Sequence, residues 1–170
     1  LFKNLNINYI SCVPAYNQLG AKIAIESPES KPEIEKMVTA FQERRDVVVS
    51  GLNAIDGVTC VMPRGAFYVF PNITGACENV GAIDAFNAMS PEAQAKSSPS
   101  TLMQMFLLYR YGVATMDRPS FCRLGSEGEN YLRLSTATDD ESLLEGVRRI
   151  GEAVKDADGF ADFVAQGVPS

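Results

Sequence analysis

Apolar residues recur at helical spacing along most of this chain and alternate with polar ones over only a few short stretches. Residues 15–27 carry Leu19, Ile23 and Ala24 as one stripe, with Asn17, Gln18 and Lys22 beside or opposite it, and Pro14 opens that helix. From residue 30 to about 52 a longer helix is predicted, with Ile34, Met37, Val38, Phe41, Val48 and Leu52 at helical spacing. Ser30-Lys31-Pro32-Glu33 is its start signal, and Asp56-Gly57 its stop. Two β-rich stretches, 58–62 and 66–70, joined by Pro63-Arg64-Gly65, predict a hairpin-like unit. Between 72 and 100 the signal weakens: Gly75, Gly81 and Ser97-Ser98-Pro99-Ser100 are loop material around a short helix at 82–89 and a helical turn at 91–96. A helix at 101–109 is expected to bury Leu102, Met105, Phe106 and Tyr109, and 112–115 reads as a short strand.

Residues 131–137, Tyr-Leu-Arg-Leu-Ser-Thr-Ala, alternate in the manner of a half-buried strand. Thr138-Asp139-Asp140-Glu141 follows with capping-box spacing. It leads into an amphipathic helix to about residue 155 that is expected to bury Leu143, Leu144, Val147, Ile150 and Val154, after which 160–168 trails off. Short strands with long helices predict an α+β fold: two layers, with helices packed on one face of a small mixed sheet.

Composition narrows the function classes. At 170 residues and 46% hydrophobic, the chain can fill one core, or one domain and part of another. Fifteen basic residues against 21 acidic ones give a net charge of -6, and no basic run exists to neutralise phosphates, which argues against a nucleic-acid partner. No apolar stretch approaches a membrane span and no signal-peptide layout precedes residue 30, so the expectation is a cytoplasmic protein away from membranes. Cys12, Cys60, Cys77 and Cys122 lie far apart without metal spacing and read as reduced, mostly buried thiols. The absence of histidine removes most zinc sites and every mechanism built on an imidazole base, and no metal is expected.

The residue with the clearest chemistry is Arg133. By alternation it points away from the face of Leu132 and Leu134. A guanidinium held on a strand just before a helix is a rigid, permanently charged fork suited to a carboxylate, and it is equally suited to a surface ion pair. Both readings stand at this point. Phe67 and Phe70 differ by an odd number, so regular pairing would turn one towards a pocket and the other into the core.

Three stretches resemble one family. Arg64-Gly65-Ala66-Phe67-Tyr68-Val69-Phe70-Pro71 is similar to the G-A-F-Y-x-F-P strand of class I aminotransferases. Gly112-Val113-Ala114, followed by Ser120-Phe121, resembles that family's G-V-A-x-x-P-G-x-x-F-G stretch. Glu127-Gly128-Glu129-Asn130-Tyr131-Leu132-Arg133-Leu134-Ser135 resembles its G-E-G-Y-x-R-L-S segment. The matches occur in family order over residues 63–154, and Asn17-Gln18-Leu19-Gly20-Ala21 weakly resembles the large-domain helix that follows the cofactor lysine.

The resemblance implies the C-terminal part of a pyridoxal-phosphate enzyme of the aspartate-aminotransferase fold. Residues 1–28 would be a remnant of the large cofactor-binding domain and 29–170 the small domain. Such an enzyme moves an amino group between an amino acid and a 2-oxo acid, as a homodimer, with the rest of the aminotransferase chain as a further partner. Arg133 would bind the substrate α-carboxylate, Phe67 would lie near the substrate entrance, and Ser11 would approach the partner subunit's cofactor. The Schiff-base lysine sits in an S-K-x-x-x-x-x-G-x-R context in this family, which no lysine here has, so this chain alone is expected to be inactive and to bind pyridoxal 5'-phosphate non-covalently at most. No residue of this chain is then expected to be catalytic. Met116-Asp117-Arg118-Pro119-Ser120-Phe121-Cys122 lacks the family's proline-glycine pair and carries a cysteine at its glycine. Arg118 and Arg123 read either as solvated loop residues or as a bias towards an acidic substrate. Two alternatives remain open: an aminotransferase-like sensor domain of a transcription regulator, and a non-catalytic α+β binding domain.

Overall fold

The computed structural model describes residues 12–121 and 127–167, and the chain divides into two compact units, Leu1–Ala40 and Phe41–Ser170. The first holds α1 (Ala15–Glu26) and the opening turns of α2 (Ser30–Asn53). α1 buries none of its residues, and its apolar stripe of Leu19 and Ile23 stays 62% and 66% exposed. Ile34, Met37 and Val38 of α2 are exposed as well, and only Val48, Val49 and Leu52 near the helix end are buried.

In the second unit the expected hairpin does not form. Thr59 and Asn72 exchange both backbone bonds, at 2.9 and 2.8 Å, but the ladder stops there. The Asn53 side chain takes both backbone groups of Cys60, donating to its carbonyl at 2.9 Å and accepting its N–H at 2.8 Å, so Cys60 cannot continue the ladder. Ala66 then turns through a left-handed conformation (φ 61°), and the chain enters β1 (Tyr68–Val69) beside a different neighbour.

That neighbour is β3 (Leu132–Ser135), the centre of a three-stranded sheet of order β1-β3-β2, where β2 is Met116–Asp117. Tyr68 pairs with Ser135, Val69 with Leu134, Met116 with Arg133 and Asp117 with Leu132. Both pairings are antiparallel, so among the described strands the sheet is antiparallel where a mixed one was expected. The strand expected at 112–115 lies instead at Met116–Asp117, because Gly112 (φ 65°) closes the preceding helix and Val113 N–H returns to the Leu107 carbonyl.

Short helices α3 (Thr74–Asn79), α4 (Ala82–Asn87) and α5 (Pro91–Gln94) lead to α6 (Pro99–Tyr111). Ser98 caps α6 by accepting the Thr101 N–H, with Pro99 just inside. α6 buries Leu102, Met103, Phe106 and Leu107, while Tyr109, expected inside, is 57% exposed. α7 (Asp140–Ala153) is capped by Asp139, whose side chain accepts from the Ser142 N–H, and not by Thr138 as the capping-box spacing suggested. Leu143 and Ile150 of α7 are buried, but Leu144 is 56% exposed on the outer side. The chain does not trail off: α8 (Ala157–Ala165) sets Phe160 and Phe163 against Phe106, with ring centroids 5.2 and 5.7 Å apart. Val69 and Leu132 turn inwards to this helical core while Tyr68 and Met116 face out. The architecture is α+β, two-layered, with helices covering one face of a small sheet.

Candidate functional site

The open face of the sheet carries Tyr68, Met116, Arg133 and Ser135, placed together by the register of β3 with its two neighbours. The Arg133 guanidinium carbon lies 4.3 Å from the Tyr68 ring centroid and 4.4 Å from that of Phe121, so an aromatic ring lies close to the guanidinium from each of two residues. Its Nη2 donates to the Met116 sulfur at 2.9 Å. Among the described residues Arg133 forms no ion pair. A guanidinium held by aromatic rings and a weak sulfur acceptor keeps its charge available to an external anion.

Aromatic packing continues on both sides. Phe67 lies 4.6 Å from Tyr68 and stacks on Phe41 at 5.8 Å. Phe70 meets Phe121 edge-on at 6.0 Å and stacks on Tyr131 at 5.3 Å. Phe67 and Phe70 are therefore both surface residues, 41% and 38% exposed, and neither enters the core, because the turn at Ala66 breaks regular alternation. The Tyr131 hydroxyl donates to Glu129, and that bond, above all, raises the phenol's pKa. Phe121 ends a 3-10 turn, Arg118–Phe121, which Asp117 holds from inside: its carboxylate accepts from the Ser120 hydroxyl at 2.5 Å and the Thr101 hydroxyl at 2.5 Å.

The sequence brought forward Arg133 and Phe67. The structure places Phe67 one ring away from the guanidinium, behind Tyr68, and adds Tyr68, Met116 and Phe121 as the residues that touch it. Alternation about Val69 was the available signal for Tyr68; nothing local to Phe121 signalled its position. Ser11, Cys122 and Arg123 lie outside the described residues. Among the described residues there are also clefts whose lining does not include Arg133. One, of about 370 Å³, is lined by Val113, Leu134, Ser135, Leu143, Val147 and Arg149, among others. Another, of about 320 Å³, includes Ile83, Phe86, Ser98, Arg118 and Asn130 in its lining.

Among the described residues no group of three or more acidic, cysteine or histidine side chains is placed to hold a metal ion, and no helix is long and apolar enough to cross a membrane. Every described lysine (Lys22, Lys31, Lys36, Lys96 and Lys155) is exposed, and the first three pair with glutamates on helix surfaces. None has the buried setting that imine chemistry at a lysine needs. Cys60 and Cys77 are buried, and burial pushes the Cys77 thiol up to about 12, so it is inert at neutral pH.

Residues 2–150 match the family model "Aminotransferase class I and II". An aspartate aminotransferase of Pyrococcus horikoshii is 32% identical over 151 residues, covering 89% of this chain and 33% of that protein. An aspartate/prephenate aminotransferase of Cereibacter sphaeroides is 41% identical over 111 residues, covering 65% of this chain and 24% of its own length. Among solved structures, an aromatic aminotransferase from Pyrococcus horikoshii superposes with a TM-score of 0.65 at 26% identity, over 92% of this chain and 35% of the other. The chain thus spans about a third of the length of the curated relatives it matches.

Proposed function

The chain belongs to the class I and II aminotransferase family, and from that premise we propose that it is the substrate-clamping part of an aminotransferase that moves an amino group between an amino acid and a 2-oxo acid. Arg133 grips the substrate α-carboxylate through two parallel N–H···O bonds. The observation that carries this reading is the state of Arg133: a guanidinium on an open sheet face, close to the rings of Tyr68 and Phe121, with no ion pair among the described residues. Phe67, tilted against Tyr68, lines the approach to it.

Pyridoxal 5'-phosphate is the cofactor this family implies, and the described residues do not fit it by themselves, since no buried lysine is present to hold it. The Schiff-base lysine, the ring-nitrogen partner and the main phosphate ligands belong, on this reading, to a large domain beyond this chain. Residues 1–28 are proposed as a piece of that domain and 29–170 as the small domain. In support, α1 buries nothing within its own unit, and the boundary between compact units, at Ala40 and Phe41, lies twelve residues past the proposed border. Assembly as a homodimer in the cytoplasm, with Ser11 approaching the partner subunit's cofactor, completes the proposal. The 170-residue chain alone is inactive.

The test is an absorbance scan with added pyridoxal phosphate, run on this chain and on the product of the complete reading frame. A lysine-bound chromophore and amino transfer from the complete product only are expected. A chromophore bound covalently to the short chain would overturn the division of labour, and a complete product without amino transfer would overturn the activity.

A further inference from the structure

The rings beside Arg133 have different supports. Tyr68 is fixed by its place in β1, opposite Ser135 of β3. Phe121 is not in the sheet at all. It ends the turn Arg118–Phe121, where the family's proline-glycine pair is absent, and its position depends on what holds that turn.

The holding group is Asp117. In β2 it pairs with Leu132, and its side chain turns inwards, only 6% exposed, while its neighbour Met116 faces Arg133. The Asp117 Oδ1 accepts from the Ser120 hydroxyl at 2.5 Å and from the Ser120 N–H at 3.3 Å. Its Oδ2 accepts from the Thr101 hydroxyl at 2.5 Å. Thr101 has a single hydroxyl proton, and once that is given to Asp117 the Ser98 hydroxyl, 2.8 Å away, must donate to Thr101. The Ser98 oxygen then accepts from the Ser100 hydroxyl at 2.9 Å and from the Thr101 N–H at 3.0 Å. Five groups form a directed chain, Ser100 to Ser98 to Thr101 to Asp117 from one side and Ser120 from the other. It ties the rigid start of α6 to the turn that ends in Phe121. A buried carboxylate that accepts three hydrogen bonds is costly to disturb, and these bonds hold the turn to the start of α6.

We propose that Asp117 is a positioning residue: through Ser120 and Thr101 it fixes the 3-10 turn so that Phe121 packs on the Arg133 guanidinium and leaves its N–H edge open to a carboxylate. Asp117 touches no ligand; it acts through Phe121. This inference rests on the reading of Arg133 as a carboxylate site, and the experiment separates the two.

The chain contains no tryptophan, so Phe121→Trp introduces a single reporter ring. In that background Ser120→Ala removes one support from an exposed position, Asp117→Asn replaces one acceptor oxygen by a donor, and Thr101→Ser keeps the hydroxyl. Emission at position 121, the urea midpoint and pyruvate affinity by titration are then measured. Ser120→Ala is expected to move the emission towards that of a solvated indole at an unchanged urea midpoint, and to weaken pyruvate binding about three- to tenfold. Asp117→Asn should do the same more strongly, and Thr101→Ser should change neither. Emission unchanged in both Ser120→Ala and Asp117→Asn would overturn the positioning role. If instead Arg133→Lys leaves pyruvate affinity unchanged, the carboxylate reading fails, while the emission data still decide whether Asp117 places the ring.

Discussion

Met116 and Arg133 are register partners across β2 and β3, and the methionine sulfur accepts the arginine Nη2–H at 2.9 Å. A thioether is a weak acceptor that carries no charge, so it orients the guanidinium without neutralising it. Replacing it by a carboxylate would supply an internal competitor. Met116→Glu is therefore expected to weaken binding of 2-oxo acids by about tenfold or more while Met116→Leu changes it little, both read by ligand titration.

Packing behind the sheet depends on two glycines that touch. Gly57 (φ 75°) accepts the Ala76 N–H at 2.9 Å, and a Cβ on Gly75 would lie 2.7 Å from the Gly57 Cα. The contact is backbone against backbone, so no side chain can move aside. Gly75→Ala is expected to destabilise the chain by about 1–3 kcal/mol, seen as a lower urea midpoint with an unchanged slope.

The cap of α7 gives an acid-side signature. Bonds from the Ser142 N–H, and then from its hydroxyl, lower the Asp139 pKa from 3.8 to about 2. A carboxyl depressed in the folded state contributes stability that is complete above its unfolded pKa and lost as pH falls towards the folded one. Asp139→Asn keeps an N-cap but cannot titrate. Melting temperatures of the parent are expected to fall between about pH 4 and pH 2 more steeply than those of Asp139→Asn, and parallel curves would contradict this.

An alkaline signature comes from Tyr111. Burial, and then its 2.7 Å hydrogen bond to Asp156, raise the phenol's pKa from 10 to about 12. The neutral phenol is favoured in the folded chain, so its contribution is complete below the unfolded pKa and is lost as pH rises towards the folded value. Urea midpoints of the parent should drop between about pH 10 and pH 12, with that component absent in Tyr111→Phe.

The sheet's central strand and the long helices α2, α6 and α7 were legible because each rests on local signals, whereas α3 falls where Gly75 read as loop. Arg133 shows itself by alternation between Leu132 and Leu134, and the helices expected from Thr101 and from Asp139 begin at Pro99 and Asp140, within two residues of their expected starts. What escaped depends on distant partners. The failed hairpin is decided by the Asn53 amide seven residues before Cys60, and an asparagine near a helix end looks like any other. The inward and outward sides of α7 could not place Leu144, whose neighbours are set by the register of α7 on α6. α8 could have been found, since Asp156 caps it and Phe160 and Phe163 share a face. At the site, Arg133 and Phe67 stood out by strand alternation and family resemblance. Phe121 did not, because its place beside Arg133 is set by Asp117 and Thr101, and no periodicity records such a tie.

The most direct test of the carboxylate clamp is kcat/KM for several amino acids in the complete gene product carrying Arg133→Lys. A lysine keeps the charge but cannot make two parallel bonds, so a loss of about 2–4 kcal/mol in transition-state binding is expected. It should be of similar size for every amino acid, because all share the α-carboxylate. Unchanged kcat/KM, or a loss confined to one side-chain class, would contradict the assignment of Arg133 to that carboxylate.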